Sequence, residues 1–490
     1  MTYGSQVASA LRRQPWVAGW VGVALLAAST CAPDIANDRP PDVMQFDPTA
    51  DPPRSPEPNS VVINPDTGLI DFGILGTWLP ANASECQDYA HVLGVAQCEF
   101  YLYLQTLDGF PSVSPVRAPA TAPLDLASVV PATDTAPGTL FVLDREGAEI
   151  VSDVRLGWRD KTGYFTIESP TGWKLGHNYV MAVRGYDAGV RAADGNRVVA
   201  SSTYFMLRQT ESLVDCAPDA PDPVPVAQQT LDPACKWFAL ANMQLHDADA
   251  AAQTLFTLEA LRQGFHHADL WTILDQIADM PREEVAIVWS FPIHTQSVAE
   301  LNPSTGTVPQ VADSRSIRLS VKGPIDPDSL IPFDMLGPPL PGDKGTVILL
   351  NLTALAAGNT FGGFPEFTTH LTTDGSIGIQ TTDPMTDGDL YGIILTVPSA
   401  EDDAARNGVT SPDGRPIVPS PVTVLLRSRG PIVDAAGESL VSGITDEDGA
   451  VLEAGRLQLM DLLDDPTFTT AAKVTRENVA YLYAFEFPNP

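Results

Sequence analysis

The heptapeptide Val285-Ala286-Ile287-Val288-Trp289-Ser290-Phe291 decides the fold. Val285, Ile287, Trp289 and Phe291 alternate with Ala286, Val288 and Ser290. Period-2 alternation with aromatics on one side predicts a strand with one face on a core. Far downstream, Val479, Tyr481, Tyr483, Phe485 and Phe487 repeat the pattern. The same short run leads into both: Arg282-Glu283-Glu284-Val285-Ala286 and Arg476-Glu477-Asn478-Val479-Ala480.

Four further blocks recur in the same order. Pro123-Leu124-Asp125-Leu126-Ala127-Ser128-Val129 answers Pro324-Ile325-Asp326-Pro327-Asp328-Ser329-Leu330. Gly138-Thr139-Leu140-Phe141-Val142-Leu143-Asp144 answers Gly345-Thr346-Val347-Ile348-Leu349-Leu350-Asn351. Tyr179 to Val183 answers Tyr391 to Leu395, and Asp194-Gly195-Asn196 answers Asp413-Gly414-Arg415. Ordered self-similarity of this kind predicts two copies of one module, roughly residues 111–293 and 311–487.

Tyr179 to Val183, Thr203 to Leu207 and Val422 to Leu426 are short β-branched and aromatic runs bounded by turn residues, and read as strands. Asp194-Gly195 and Asp413-Gly414 are turn signals, because Gly supplies the positive φ of a tight hairpin. Strands with turns at short spacing predict a β-sandwich. One helical stretch interrupts each copy. Leu255, Leu258, Leu261 and Phe265 recur at helical spacing, with a break near Gly264 and a resumption at Leu270, Ile273, Leu274 and Ile277. Leu452 to Leu463 is read as the shorter counterpart.

These residues resemble the N-terminal β module of bacterial virulence-factor lipases. The matching motifs are Phe46-Asp47-Pro48, Glu57-Pro58-Asn59, Thr106-Leu107-Asp108-Gly109-Phe110 and Pro123-Leu124-Asp125-Leu126-Ala127-Ser128. Asp194-Gly195-Asn196 and the strand Glu284 to Phe291 complete them. The repeats also resemble the bacterial Ig-like domains of surface-layer proteins. The resemblance implies a mainly β chain of two Ig-like β-sandwich modules, residues 59–300 and 301–490, each with a helical insertion. In the lipase family a catalytic α/β-hydrolase domain carries a Gly-x-Ser-x-Gly nucleophile elbow. That pentapeptide does not occur in the 490 residues. Asp374-Gly375-Ser376-Ile377-Gly378 comes nearest but departs from the spacing, and reads as a polar turn.

Residues 1–30 read as an export signal, with Arg12 and Arg13 ahead of the apolar run Val17 to Ala28. That run is too short for the roughly 20 residues a membrane span needs. Ala28-Ser29-Thr30-Cys31 is similar to the lipidation box of bacterial lipoproteins, which makes Cys31 the expected lipid attachment site. Ordinary cleavage near Ala28, leaving Cys31 a free thiol, stays open. Lipidation of Cys31 would leave an even set of four: Cys86, Cys98, Cys216 and Cys235. In an oxidising compartment four cysteines form two disulfides in one of three connectivities. The local pairs Cys86–Cys98 and Cys216–Cys235 are favoured because each closes a short loop. Zinc is disfavoured, since no Cys-x-x-Cys occurs. The Pro- and Asp-rich stretch after Cys31, to Pro58, reads as a flexible tether.

Charge narrows the partners. Lys+Arg 28 against Asp+Glu 61 gives a net charge of −33, which argues against nucleic acid and against basic-patch docking on anionic lipid. Membrane contact is then expected only through the N-terminal lipid anchor. His266-His267 point about 100° apart on a helix and make a poor metal pair. His246 with Asp247 and Asp249 reads as a helix start. Asp446-Glu447-Asp448-Gly449 fails the EF-hand pattern, since Ile444 and Gly455 occupy its first and last ligand positions. Asp383, Asp387 and Asp389 share one loop. Weak calcium binding between acidic loops stays open. No phosphate-binding glycine motif is present.

The sequence therefore assigns no catalytic, cofactor or metal residue. It predicts an exported, non-enzymatic lipoprotein of the bacterial cell envelope, at the outer membrane or cell surface. Its modules would bind an envelope protein or glycan, act as spacers, or form a surface layer. The alternative is a lipase- or esterase-related protein, or an accessory subunit of a separately encoded hydrolase.

Overall fold

In the computed structural model, Val285–Pro292 is a strand paired antiparallel with Asn178–Arg184. Ala286 and Val288 are as fully buried as Ile287 and Trp289, which corrects the expectation of a strand with one covered face. A strand covered on both faces reads as a continuous apolar run, and the residues between the aromatics here are themselves apolar. Its open edge is closed by Tyr204, whose hydroxyl accepts the Val288 N–H at 2.9 Å.

The structure describes residues 41–47, 54–75, 77, 79–89, 93–159, 163–217, 230–301, 308–334, 345–359, 361–398, 408–465, 472 and 474–487. Cys31 and residues 1–30, read above as an export signal, lie outside them. Unit 1 comprises the described residues of 1–77 and 112–293, and unit 2 those of 78–111 and 294–490. Helix α1 (Val95–Leu104) therefore belongs to unit 2. The fold class is mainly β, with several antiparallel sheets and a few helices. No described helix is long and apolar enough to cross a membrane.

Unit 1 holds β1 (Asp42–Met44), β2 (Val116–Pro119), β3 (Leu140–Asp144), β4 (Glu149–Ile150), β5 (Arg155–Arg159), β6 (Tyr164–Glu168), β7 (Asn178–Arg184), β8 (Val198–Ala200) and β9 (Val285–Pro292). They form an antiparallel sheet in the order β4-β3-β7-β9, a second in the order β2-β6-β5, and a parallel pair β1-β8. Helices α2 (Ser202–Leu207), α3 (Lys236–Leu245), α4 (Ala248–His267) and α5 (Leu270–Gln276) complete the unit. The β1-β8 pair corrects the tether: Met44 and Phe46 are core residues, and Glu57 exchanges backbone hydrogen bonds with Arg117. Apolar anchors in a Pro-rich stretch suffice to dock it.

Unit 2 holds β10 (Val298–Ala299), β11 (Gln310–Asp313), β12 (Ser316–Leu319), β13 (Val321–Lys322), β14 (Val347–Asn351), β15 (Phe367–Leu371), β16 (Ile377–Thr381), β17 (Leu390–Thr396) and β18 (Val479–Glu486). The sheets run β14-β17-β18, β11-β12-β16-β15 and β10-β13, all antiparallel. Its other helices are α6 (Leu352–Ala356), α7 (Pro421–Leu426) and α8 (Asp446–Asp464).

Thr203–Leu207 and Val422–Leu426, expected as strands, lie in helices α2 and α7. Capping overrides the β-branched content. Ser201 Oγ accepts the Tyr204 N–H at 3.1 Å, Ser420 Oγ accepts the Thr423 N–H at 3.2 Å, and Pro421 opens α7. Helix α4 runs straight through Gly264, where no neighbour crowds the backbone. The break comes at Asp269, whose φ of 53° turns the chain into α5. The helical insertion of unit 2 is the shorter one, as expected: α8 alone, with 19 residues, stands where unit 1 has α3, α4 and α5, with α4 itself 20 residues long.

The two units repeat one set of bonds. Thr139 Oγ1 donates to the Ser128 carbonyl and accepts the Val130 N–H; Thr346 does the same with Ser329 and Ile331. Arg208 donates to the Glu283 and Val285 carbonyls, and Arg427 to those of Glu477 and Val479. A Cβ on Gly138 would sit 2.4 Å from the Val130 carbonyl oxygen, and one on Gly345 2.4 Å from Phe333 Cα. Each glycine lets the strand close against the loop before it. Disulfides Cys216–Cys235 in unit 1 and Cys86–Cys98 in unit 2 span Cα separations of 5.3 and 5.8 Å.

Candidate functional site

Among the described residues, one group of three potential metal ligands lies where β3 ends beside the start of β7 in unit 1. Asp144 closes β3 opposite Tyr179 in the ladder. Its Oδ1 accepts the Gly147 N–H at 2.9 Å, which folds the chain into the turn toward β4. His177 Nδ1 stands 2.7 Å from the same oxygen, and Lys174 Nζ 3.0 Å from Oδ2. Lys174 also reaches Glu149 at 2.9 Å. Glu146 accepts from Asn178, through the backbone N–H and from Nδ2 at 2.8 Å. Tyr179 Oη accepts the Lys174 N–H at 3.0 Å, with its ring stacked on Phe291.

Asp144 is fully buried, whereas the His177 side chain is 27% and that of Lys174 52% exposed. Burial pushes the Asp144 carboxyl up, but the Gly147 amide, His177 and Lys174 together outweigh it and hold it below the usual range. Hydrogen bonds to Glu149 and Asp144 raise Lys174. Burial of Glu146 is likewise outweighed by its Asn178 bonds, so it too is lowered. One ligand atom from each of Asp144, Glu146 and His177 lies within 4.8 Å of the others.

Unit 2 has the same corner with different chemistry. Asn351 ends β14 opposite Tyr391. Its Oδ1 accepts the Ala354 N–H at 2.8 Å, three residues on, as Asp144 does with Gly147. Tyr391 Oη accepts the Thr386 N–H at 2.9 Å, five residues back, as Tyr179 does with Lys174. Asp389 stands where His177 stands, taking a 2.7 Å bond from Asn351 Nδ2. The frame thus needs a capping oxygen at this position but neither a buried charge nor an imidazole.

The residues singled out from the sequence fall elsewhere. Ser376 follows the β15–β16 hairpin turn; its Oγ donates to Asp374 at 3.3 Å, and Asp374 pairs with Arg318. Asp446, Glu447 and Asp448 are the first turn of α8, capped by Thr445, and not a loop. They complement the positive helix end. Of the acidic loop, Asp389 is spent on Asn351, while Asp383 and Asp387 are exposed. His246 ends α3 with a φ of 53° and Asp247 caps α4. His266 Nε2 lies 3.2 Å from Arg262. The reading by motif missed Asp144 and His177. The one signal was the Asp144/Asn351 mismatch in an otherwise matching block.

No protein-family model matches the sequence, and no match among curated proteins is found. Among the solved structures with slight similarity are three of S-layer proteins. The S-layer protein rSbsC(31-844) is 13% identical, with 37% of this chain and 18% of that chain covered and a TM-score of 0.16. Domains 1–6 of surface layer protein SbsC are 14% identical, with 39% and 19% covered and a TM-score of 0.16. The N-terminal part of the bacterial S-layer protein SbsC is 12% identical, with 37% and 34% covered and a TM-score of 0.15. The chain spans between 18% and 34% of the length of these proteins. A likeness this slight bears on neither fold nor function.

Proposed function

We propose that the chain is an exported, non-catalytic protein of the cell envelope, lipid-anchored at Cys31, whose two β units serve as binding or spacing modules. The observation that supports export is the pair of disulfides, since such bonds form and persist in oxidising compartments. The anchor and the Ig-like character of the units rest on the sequence resemblance alone. A non-catalytic role is supported by how the polar groups are used: Ser376, Asp446–Asp448 and Asp389 all serve turns and caps. An acidic surface keeps such modules soluble and repels other acidic surfaces.

The test is expression of the full chain in a Gram-negative host with labelled palmitate. Label in the membrane fraction, lost together with membrane association in Cys31→Ser, is the expected result. An unlabelled soluble chain overturns the anchor. Nitrophenyl-ester turnover is measured beside it with Ser376→Ala, and activity above buffer that survives repurification overturns the non-catalytic reading.

A further inference from the structure

We infer that the β3–β7 corner of unit 1 is a binding site for a divalent transition-metal ion of the zinc type, held by Asp144, Glu146 and His177. The inference stands on that corner alone and does not depend on the envelope role proposed above.

The comparison with unit 2 removes the structural explanation for the cluster. Asn351 and Asp389 satisfy the same turn and the same ladder with one neutral amide and one carboxylate. Unit 1 instead buries a full carboxylate and surrounds it with an imidazole and two more acids. Burying a charge is costly where an amide of equal size does the same capping. Among Asp144, Glu146, Glu149 and Lys174, three carboxylates face one ammonium. Counted over these four side chains, two negative charges are left uncompensated, which a divalent cation neutralises.

The donor chemistry selects the metal. One imidazole nitrogen with carboxylate oxygens suits zinc, copper or nickel, whereas calcium takes about 6–8 oxygens. Zinc bonds of about 2.0–2.2 Å place donors roughly 3.4 Å apart in a tetrahedron. The three donors lie within 4.8 Å, and Glu146 is exposed, so a metal takes it by exchanging its hydrogen bonds from Asn178. Lys174 is the resident competitor on Asp144 Oδ2. It already holds Glu149 at 2.9 Å, so a metal displaces it from one carboxylate to another.

The experiment is calorimetric titration of the full chain, stripped with chelator, with zinc chloride at pH 7.5. One ion per chain with micromolar affinity is expected. His177→Ala and Glu146→Gln each weaken it at least tenfold, while Lys174→Gln tightens it several-fold by removing the competing ammonium. Cobalt(II) provides the second readout, a visible absorption band lost in His177→Ala. Both ligand variants replace partly exposed side chains, and far-ultraviolet circular dichroism of the metal-free proteins checks that they fold. Equal zinc affinity in His177→Ala, weaker binding in Lys174→Gln, or no binding up to 100 times the expected dissociation constant overturns the site.

Discussion

Unit 1 and unit 2 are tied by the same devices but bury them to different depths. In unit 1, Glu259 and Arg262 of α4 pair at 2.7 Å with side chains 1% and 4% exposed, and Glu259 also accepts the Leu213 N–H. In unit 2, Glu453 and Arg456 of α8 pair at 2.6 Å, Glu453 accepts the Ile432 N–H, and Glu453 is 14% exposed. The bonds are the same; the water is not. A pair of this kind anchors an insertion helix to the loop that precedes it. How much it matters depends on whether solvent can replace a lost partner.

The comparison breaks first at this pair. Removing one partner of a fully buried ion pair costs about 3–5 kcal/mol, because the other charge is stranded. Glu259→Ala is expected to fall in that range, and Glu453→Ala below it. Five of the eight tryptophans, Trp158, Trp173, Trp237, Trp271 and Trp289, are described residues of unit 1, so tryptophan fluorescence in urea is weighted toward that unit. Hydrogen exchange follows the amides of unit 2. Equal losses in the two variants would mean that burial does not set the difference.

The disulfides sharpen it next. Cys216–Cys235 closes a 19-residue separation and Cys86–Cys98 one of 12. Loop-closure entropy assigns each about 3 kcal/mol, with the longer loop ahead by about 0.4 kcal/mol. Cys235→Ser should therefore lower the urea midpoint of unit 1, and Cys98→Ser that of unit 2, by nearly equal free energies. A loss in the wrong unit would contradict the division of the chain.

Acid should separate the units. His294 in unit 2 is buried, with its Nδ1 lacking a hydrogen-bond partner. Burial lowers its pKa to about 4, against weaker opposition from Asp108. The unfolded chain then binds the proton first. Stability is complete above about pH 6.5 and is lost as pH falls toward 4. At pH 5 the loss is about 2 kcal/mol. Exchange protection of unit 2, compared at pH 7.5 and 5, should show it in the parent chain and not in His294→Gln.

What was legible in the sequence was whatever repeats locally. The blocks ending at Asp144 and Asn351 fall on β3 and β14, and the two local cysteine pairs are the two bonds formed. Thr203–Leu207 and Val422–Leu426 were misread because a single serine before each run outweighs its β-branched residues. β9 looked one-sided because Ala286 and Val288 are small beside Trp289 and Phe291, although burial spares neither. The corner of unit 1 was hidden for another reason. Asp144 ends β3 and His177 precedes β7, and the antiparallel ladder between the two strands brings them together. No spacing rule links them.

That corner supplies the smallest and most pointed test. The double variant Asp144→Asn, His177→Asp rewrites unit 1 with the pair that unit 2 already uses. The Gly147 N–H keeps its acceptor and the new Asp can take the amide bond that Asp389 takes from Asn351. Lys174 keeps Glu149. The bond from Lys174 to residue 144 is lost, but Lys174 is half-exposed and keeps Glu149 and water, so the urea midpoint should move by only about 1 kcal/mol. Zinc affinity should nevertheless fall away, because the only imidazole in the cluster is gone. A large loss of stability would instead show that the buried charge of Asp144 serves the fold itself. The two corners would then be different solutions to one packing problem, and not one frame with and without a binding site.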